Sequence, residues 1–215
     1  MTDRKHIDIA FVSDVVCPWC AIGLTSLEQA LVHLGDEYDV TVRIEPFELN
    51  PDMPAEGEAV AKYVARKYGR TPEQLAQVQA RIRASGAAVG FAFGSRDHVW
   101  NTLDAHRILH WAGLEGKALE LKRALLHAYH VEGRNPGASD VLVELAGSVG
   151  LDAARAKAIL DGDEYRDEVR ARERTWQQRG VSGVPFVVVN DTHAIEGAET
   201  PQRYEQALRQ IAASS

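Results

Sequence analysis

The sequence predicts an α/β fold in which a strand–helix–strand unit and a strand–strand–helix unit are separated by a long all-helical segment. Three observations predict it. Residues 7–12 and 40–45 have strand patterns, and the apolar stripe of residues 18–34 between them is helical. From residue 58 to about residue 178 almost every apolar pattern is helical. Strand character returns only at residues 185–195, which precede a last amphipathic helix.

The first unit is bounded by residues with known conformational preferences. Residues 7–12 alternate and then run apolar, as in a short buried strand. Pro18 suits the first helical turn because its missing N–H would have no partner there, and Gly35 stops the helix. Residues 40–45 alternate between apolar and polar side chains, and Pro46 interrupts this second strand.

The pattern of the central segment, from residue 58 to about residue 178, predicts a series of helices. A capping box at Thr71, with Pro72 in the first turn, begins one of them. Gly86, Gly90 and Gly94 predict a flexible connection. Further helices are predicted at residues 101–111, 117–130, 139–149, 153–160 and 163–180.

The last unit has the pattern of a hairpin followed by a helix. Its strands are predicted at residues 185–189 and 193–195, with a tight turn at Asn190 and Asp191 between them. Thr200 caps the last helix. Together the three parts describe a thioredoxin-like frame with an all-helical insertion. We assign residues 1–55 and 175–215 to the thioredoxin-like domain and residues 56–174 to the helical insertion domain.

The composition excludes several classes of protein. Of the 215 residues, 45% are hydrophobic and 26% are charged, which is ordinary for a globular chain. Acidic residues outnumber basic ones by 31 to 24, and the net charge of −7 gives no electrostatic reason to bind nucleic acid. No apolar run approaches the ~20 residues of a membrane helix, and the amino terminus has no signal-peptide core. We therefore expect a cytoplasmic protein without nucleic-acid or membrane partners.

The two cysteines of the chain, Cys17 and Cys20, form a C-x-x-C motif. In a reducing compartment such a pair is more often redox-active or metal-binding than structural. Cys17 falls just before the first helical turn, where free N–H groups and the helix dipole favour a thiolate. Cys20 lies one turn inside, on the core-facing stripe. These positions predict that Cys17 attacks a disulfide and that Cys20 resolves the mixed disulfide. Pro18 stiffens the turn, and Trp19 offers an apolar surface to a substrate.

Two other interpretations of the cysteine pair stay open. A zinc site would need two further ligands, and His106 and His110 have a spacing that zinc ligands use. We nevertheless expect no metal, because the chain has no second C-x-x-C motif. An inert buried pair is the other alternative.

A glycine-rich loop at residues 180–183 precedes Val184 and Pro185. A proline that opens a buried strand after such a loop is compatible with a cis peptide bond, a state that only ~5% of X–Pro bonds adopt. A trans proline at the start of a strand is also compatible with the spacing.

Four stretches carry a resemblance to a known family: CPWCAIG at residues 17–23, PFELNP at 46–51, NTLDAHR at 101–107 and GVSGVPF at 180–186. Over essentially its whole length the chain resembles the DsbA-like branch of the thioredoxin superfamily, and within it the FrnE-like group of dithiol–disulfide oxidoreductases or isomerases. The resemblance implies a thiol–disulfide oxidoreductase that acts on protein or small-molecule disulfides. It is also consistent with a homodimer.

The resemblance implies roles for particular residues as well. A cis Pro185 would face Cys17, and the Val184 backbone would pair with an extended substrate peptide. Further substrate-binding candidates match family positions on segments that the insertion would fold over the cysteines: Asn50, Asn101 and His106.

The same fold is similar to that of kappa-class glutathione transferases and 2-hydroxychromene-2-carboxylate isomerases, which carry a serine at the position of Cys17. A glutathione-dependent transferase or isomerase is therefore the alternative enzyme class, and a binding module with an inert thiol pair is the non-enzymatic alternative. No nucleotide-binding motif is present, so we expect no cofactor, with glutathione at most a co-substrate. Asp14, three residues before Cys17, is expected to be a loop carboxylate on a surface turn.

Overall fold

A four-stranded mixed sheet lies at the centre of the structure, a computed structural model that describes residues 4–214. Within these residues the strands are β1 (His6–Ser13), β2 (Asp39–Pro46), β3 (Glu58–Ala59), β4 (His98–Val99), β5 (Phe186–Val189) and β6 (His193–Glu196). The order in the large sheet is β2–β1–β5–β6, and β3 pairs with β4 in a separate ribbon. β1 runs parallel to β2 and antiparallel to β5, and β5 runs antiparallel to β6.

Nine α-helices accompany these strands in the described part of the chain. They are α1 (Pro18–Leu34), α2 (Val60–Tyr68), α3 (Pro72–Ala88), α4 (Leu103–Leu114), α5 (Ala118–His130), α6 (Ser139–Ser148), α7 (Ala153–Asp161), α8 (Arg166–Gln178) and α9 (Pro201–Ser214). The units β1–α1–β2 and β5–β6–α9 confirm the predicted order, with seven helices between them.

The two faces of the sheet bury different helices because successive side chains of a strand point in opposite directions. On one face, Ile9 and Phe11 of β1 pack in a core with α1 and α9, to which Leu24 and Tyr204 contribute. On the other face, residues such as Val12 pack with Trp176 of α8. α1 and α9 therefore pack against each other on this face of the sheet, and the first turn of α1 follows closely on the end of β1.

The helices α4 to α7 have a hydrophobic core of their own. Ile108, Leu121, Leu142 and Ile159 come from these four helices and are fully buried in it. Val15, from the connection between β1 and α1, is buried in the same core. This contact ties the helical core to the loop that precedes the cysteines.

The central segment differs from its prediction in two details. The ribbon of β3 and β4 was not predicted, because two residues per strand are too short to show an alternating pattern. The helix predicted from Asp163 begins later, at Arg166, because Tyr165 adopts a left-handed conformation with φ 64°. The assigned domain boundaries stay a prediction, and the second one falls within the continuous helix α8. No helix in residues 4–214 is long and apolar enough to cross a membrane.

Candidate active site

Cys17 occupies the position that joins β1 to α1. Its backbone is extended, with φ −83° and ψ 114°, so it is the N-cap of α1, and Pro18 is the first helical residue. The N–H of Cys20 donates to the Cys17 carbonyl over 3.1 Å, which closes the first turn. Cys17 is 3% exposed and Cys20 is 0% exposed, and both are free thiols. The predicted placement of both thiols on the helix is confirmed.

The two thiols differ in how readily they lose a proton. A hydrogen bond from the Cys20 thiol lowers the pKa of Cys17 despite burial, and the backbone N–H groups of Cys20 and Trp19 act in the same direction. The negative charge of Asp14 opposes this shift. Burial raises the pKa of Cys20 well above its usual range, and the neighbouring Cys17 raises it further. Cys17 is therefore the thiol that ionises first.

The loop before β5 lies against Cys17. The Val184–Pro185 peptide bond is cis, which confirms the first of the two alternatives drawn from the sequence. The Cys17 thiol donates to the Val184 carbonyl over 3.5 Å. Pro185 packs beside Gly23 of α1, where an added Cβ atom would lie 3.1 Å from the Pro185 ring. Val184 is thus the residue of this loop whose backbone contacts the thiol.

A cavity of about 560 Å³ opens in front of Cys17. Of the residues expected to bind substrate, Pro18, Trp19 and Val184 line it together with Cys17, whereas Pro185 is not among its lining residues. Most of the opposite wall is apolar and comes from α2, α3 and the segment after β2, and includes Phe47, Leu49, Val60, Tyr63, Val64, Leu75 and Ile82. The insertion therefore supplies much of the surface that faces Cys17.

Three basic side chains line the same cavity: Lys67, Arg70 and Arg96. The Lys67 ammonium donates to the Leu49 carbonyl over 2.6 Å, and the Arg96 guanidinium donates to the Tyr129 hydroxyl over 3.0 Å. These bonds hold two of the three cations in place. The cavity thus combines apolar walls with fixed positive charge, which suits an apolar ligand that bears acidic groups.

The structure does not place Asn50, Asn101 and His106 among the residues lining this cavity. Asn50 exchanges hydrogen bonds with the Tyr63 hydroxyl at 2.8 and 3.0 Å and accepts one from Lys67, so it supports two lining residues from behind.

Asn101 and His106 have different surroundings. Asn101 donates to the Met53 carbonyl and accepts from the Leu103 N–H at the start of α4. His106 is 1% exposed, and its Nε2 lies 3.4 Å from a carboxylate oxygen of Asp14. His106 is therefore an internal residue, whereas Asn101 is partly buried and links the start of α4 to Met53.

The prediction that Asp14 lies on a surface turn is wrong. Asp14 is 0% exposed, and its carboxylate is compensated by a hydrogen bond from the Leu49 N–H over 2.8 Å and by pairing with His106. Burial alone would raise the pKa of Asp14, but the hydrogen bond and charge of His106 and the Leu49 N–H lower it below its usual range. A buried carboxylate therefore lies three residues before Cys17.

Several buried polar groups near the site were not predicted from the sequence. Glu48 and Glu173 are each 5% exposed, with Arg170 beside both carboxyl groups. Lys122 and His130 of α5 are 0% exposed. The sequence holds one indication that Lys122 is buried. Lys122 lies between Leu121 and Leu125 on the apolar side of α5, where a lysine is unusual.

The candidate zinc ligands do not converge. His106 pairs with Asp14, whereas the ring of His110 packs against Tyr165 at 5.1 Å between centroids. Within residues 4–214, no three His, Cys, Asp or Glu side chains are grouped as metal ligands would be.

Comparison with known proteins agrees with this geometry. The model of the DSBA-like thioredoxin domain family matches residues 8–209. The chain belongs to this family. Its DsbA-like thioredoxin fold is the fold that the sequence predicts, and its insertion is helical except for the short ribbon of β3 and β4.

Individual relatives match nearly the whole length of this chain. The probable DsbA oxidoreductase SCO1869 from Streptomyces coelicolor is 35% identical with a TM-score of 0.89, over 98% of this chain and 91% of that one. The uncharacterized protein YwbO of Bacillus subtilis (strain 168) is 29% identical over 94% of this chain and 96% of its own. The structure of a 2-hydroxychromene-2-carboxylate isomerase has a TM-score of 0.70 over 98% of this chain and 100% of that one. At 17% identity, this last likeness shows the fold alone.

Proposed function

We propose that this DsbA-like protein is a thiol–disulfide oxidoreductase in which Cys17 attacks the substrate and Cys20 resolves the intermediate. One observation carries the proposal: Cys17 lines an open cavity, while Cys20 is fully buried one turn inside the same helix. A thiolate is the species that attacks a disulfide, and the groups around Cys17 favour its thiolate.

The reaction is a pair of thiol–disulfide exchanges. The Cys17 thiolate attacks one sulfur of the substrate disulfide, the substrate S–S bond breaks, and the first substrate thiolate leaves. Cys20 then loses its proton and attacks the Cys17 sulfur. A Cys17–Cys20 disulfide forms and the second substrate thiolate leaves, so two electrons pass from the dithiol to the substrate. The reverse sequence oxidises a dithiol substrate.

The dimensions of the cavity favour a substrate that is a small disulfide or an extended peptide. Cys17 is only 3% exposed, so a sulfur atom must enter the cavity of about 560 Å³ to reach it. The rigid surface of a folded protein does not fit such a space, whereas a small disulfide or an unfolded peptide does. The Val184 carbonyl beside Cys17 would accept a hydrogen bond from an extended peptide.

A glutathione-dependent transferase or isomerase is the second candidate function. The basic residues Lys67, Arg70 and Arg96 in the cavity favour it, since they would attract a ligand with carboxylates such as glutathione. Such an enzyme would bind glutathione without a covalent bond. Glutathione also fits the first candidate, as a co-substrate.

Turnover assays separate the two candidates. With dithiothreitol as the electron source, the wild-type protein is expected to catalyse the reduction of insulin disulfides, and Cys17→Ser is expected to lose this activity. Calorimetric titration of Cys17→Ser with reduced glutathione supplies the second arm. Full retention of tight glutathione binding, with no disulfide turnover by the wild type, would refute the oxidoreductase proposal in favour of the transferase.

A further inference from the structure

The cavity in front of Cys17 carries positive charge, although the chain as a whole is acidic. The chain has 31 acidic and 24 basic residues. Among the described residues that line the cavity, Lys67, Arg70 and Arg96 are basic, and only Glu48 bears a carboxyl group. Burial raises the pKa of that carboxyl to about 8, so it holds its proton near neutral pH. The charge of the cavity is therefore opposite in sign to the net charge of the chain.

None of the three cations is neutralised by a carboxylate in the described part of the chain. Lys67 and Arg96 donate hydrogen bonds only to carbonyl, amide and hydroxyl oxygens, all of which are neutral. Arg70 makes no hydrogen bond and no ion pair with the described residues, and its guanidinium lies over the ring of Tyr68 at 5.3 Å from the centroid. The three positive charges are thus free to pair with a ligand.

The positions of the cations span the site from the nucleophile to solvent. Arg96 donates to the carbonyl of Val16, the residue before the nucleophile, over 3.4 Å. Lys67 and Arg70 lie at the end of α2, where both approach the ring of Tyr68, at 5.7 and 5.3 Å. That ring is 48% exposed, so these two cations belong to the mouth of the cavity. A ligand that enters through the mouth passes two cations before it reaches the third.

The apolar wall of the cavity limits which anionic ligand fits it well. Val60, Val64 and Ile82 line the cavity from α2 and α3. Covering such side chains with apolar groups of a ligand is favourable. Glutathione has two carboxylates but no apolar side chain, so it would leave this wall uncovered. A peptide with both acidic and apolar residues beside its cysteine would complement the cations and the wall together.

We propose that the preferred substrate is a disulfide in an acidic peptide, whose carboxylates bind the three cations of the cavity while its apolar side chains cover the wall of α2 and α3. This inference rests on the proposed oxidoreductase function and names its substrate class. The exchange between sulfur atoms is the one described above, and the carboxylates of the peptide neither gain nor lose a proton in it. They hold the peptide with its sulfur beside Cys17 and raise the rate of encounter.

Three peptide disulfides that differ only in charge test the inference. In each, two copies of one peptide are joined through a single cysteine that lies between apolar residues, and the next residues on both sides are glutamate, glutamine or lysine. The wild-type protein reduces them with dithiothreitol as the electron source, and the direct reaction with dithiothreitol is subtracted. At low salt, kcat/KM for the glutamate peptide should exceed that for the glutamine peptide by about 10-fold, and the lysine peptide should be the slowest. At about 0.5 M salt the differences should shrink, because salt screens charges at the mouth.

Substitutions of Arg70 separate charge recognition from disturbed folding. Arg70→Gln should lower the ratio of the glutamate rate to the glutamine rate by about threefold or more. Arg70→Glu should go further and raise kcat/KM for the lysine peptide above its wild-type value, a gain that a folding defect cannot produce. Arg203→Gln is the matched control, because Arg203 is an exposed arginine of α9 that pairs with Glu199, and it should keep the wild-type ratio.

Equal kcat/KM values for the three peptides with the wild type would overturn the inference. A ratio that neither Arg70 variant changes would overturn it too. Faster reduction of oxidised glutathione than of the glutamate peptide would assign the cations to glutathione and contradict the peptide substrate. A wild-type protein that reduces no disulfide at all, insulin included, would instead refute the proposed function itself.

Discussion

Substitution of Glu48 by glutamine is expected to remove the loss of stability that this carboxyl causes as the pH rises from about 5 to about 8. Glu48 is 5% exposed, and burial raises the pKa of its carboxyl from 4.5 to about 8, with a further contribution from the negative charge of Glu173. Arg170 pairs with Glu48 and opposes this shift. At neutral pH the folded protein therefore holds a proton on Glu48 that the unfolded chain has released.

The sign and size of the effect follow from this difference in protonation. Stability falls as the pH rises wherever the folded state binds more protons than the unfolded chain. For Glu48 this is the pH range from about 4.5 to about 8. With ~1.4 kcal/mol for each pH unit over which the two states differ, the loss amounts to about 5 kcal/mol at most. A glutamine side chain resembles the protonated carboxyl and cannot ionise. The Glu48→Gln variant should therefore match the wild type near pH 4.5 and exceed its stability by several kcal/mol above pH 8.

Urea unfolding at a series of pH values measures this difference. Glu56→Gln is the matched control, because Glu56 is an exposed residue of the same type, and it should follow the wild-type pH dependence. The reasoning is refuted if the stabilities of the wild type and Glu48→Gln change in parallel across the range. A wild-type stability that increases from pH 5 to pH 8, with Glu48→Gln unable to alter it, would refute it as well.

Three further substitutions in the helical insertion test local contacts by urea unfolding. Arg107→Met should cost about 3–5 kcal/mol, because the buried guanidinium donates to three backbone carbonyls and to one carboxylate; a cost below about 1 kcal/mol would contradict this role. Gly94→Ala should cost about 2 kcal/mol or more, since its Cβ atom would lie 2.0 Å from the Val131 carbonyl oxygen; wild-type stability would show that this approach is not tight. Thr71→Ala should cost about 1 kcal/mol by removing the capping box with Gln74, and no loss would mean that the cap is inactive.

The local elements of the fold could be predicted because their signals lie in neighbouring residues. Pro18 and Gly35 define the ends of α1, and the capping box at Thr71 begins the helix where it was expected. Gly86 shows the limit of such signals. It was interpreted as part of a flexible connection, but it lies inside α3, where a Cβ atom would be 2.5 Å from the carbonyl oxygen of Phe91. A glycine required for close approach has the same sequence signal as one required for flexibility.

From the residues themselves, the candidate site was predictable where its parts are adjacent in sequence, and the place of the Val184 loop beside Cys17 came from the family resemblance. The C-x-x-C motif shows the asymmetry of Cys17 and Cys20 because a single helical turn fixes their relative positions. The environment of Asp14 depends on His106, which is 92 positions away and belongs to the helical insertion. Lys122 likewise is 0% exposed only because other segments pack around α5. Contacts between distant segments leave no local sequence pattern. The burial of these charged groups could therefore be identified only from the structure.

The assignment of roles to the two thiols is tested most directly by trapping the mixed disulfide. Cys20→Ser and Cys17→Ser are each incubated with oxidised glutathione and analysed by mass spectrometry. Cys20→Ser is expected to accumulate one glutathione on Cys17, because the thiol that lines the cavity still attacks and the resolving thiol is gone. Cys17→Ser is expected to form no adduct, because Cys20 is buried and its pKa is raised. An adduct on Cys20 in Cys17→Ser, with none in Cys20→Ser, would contradict the account.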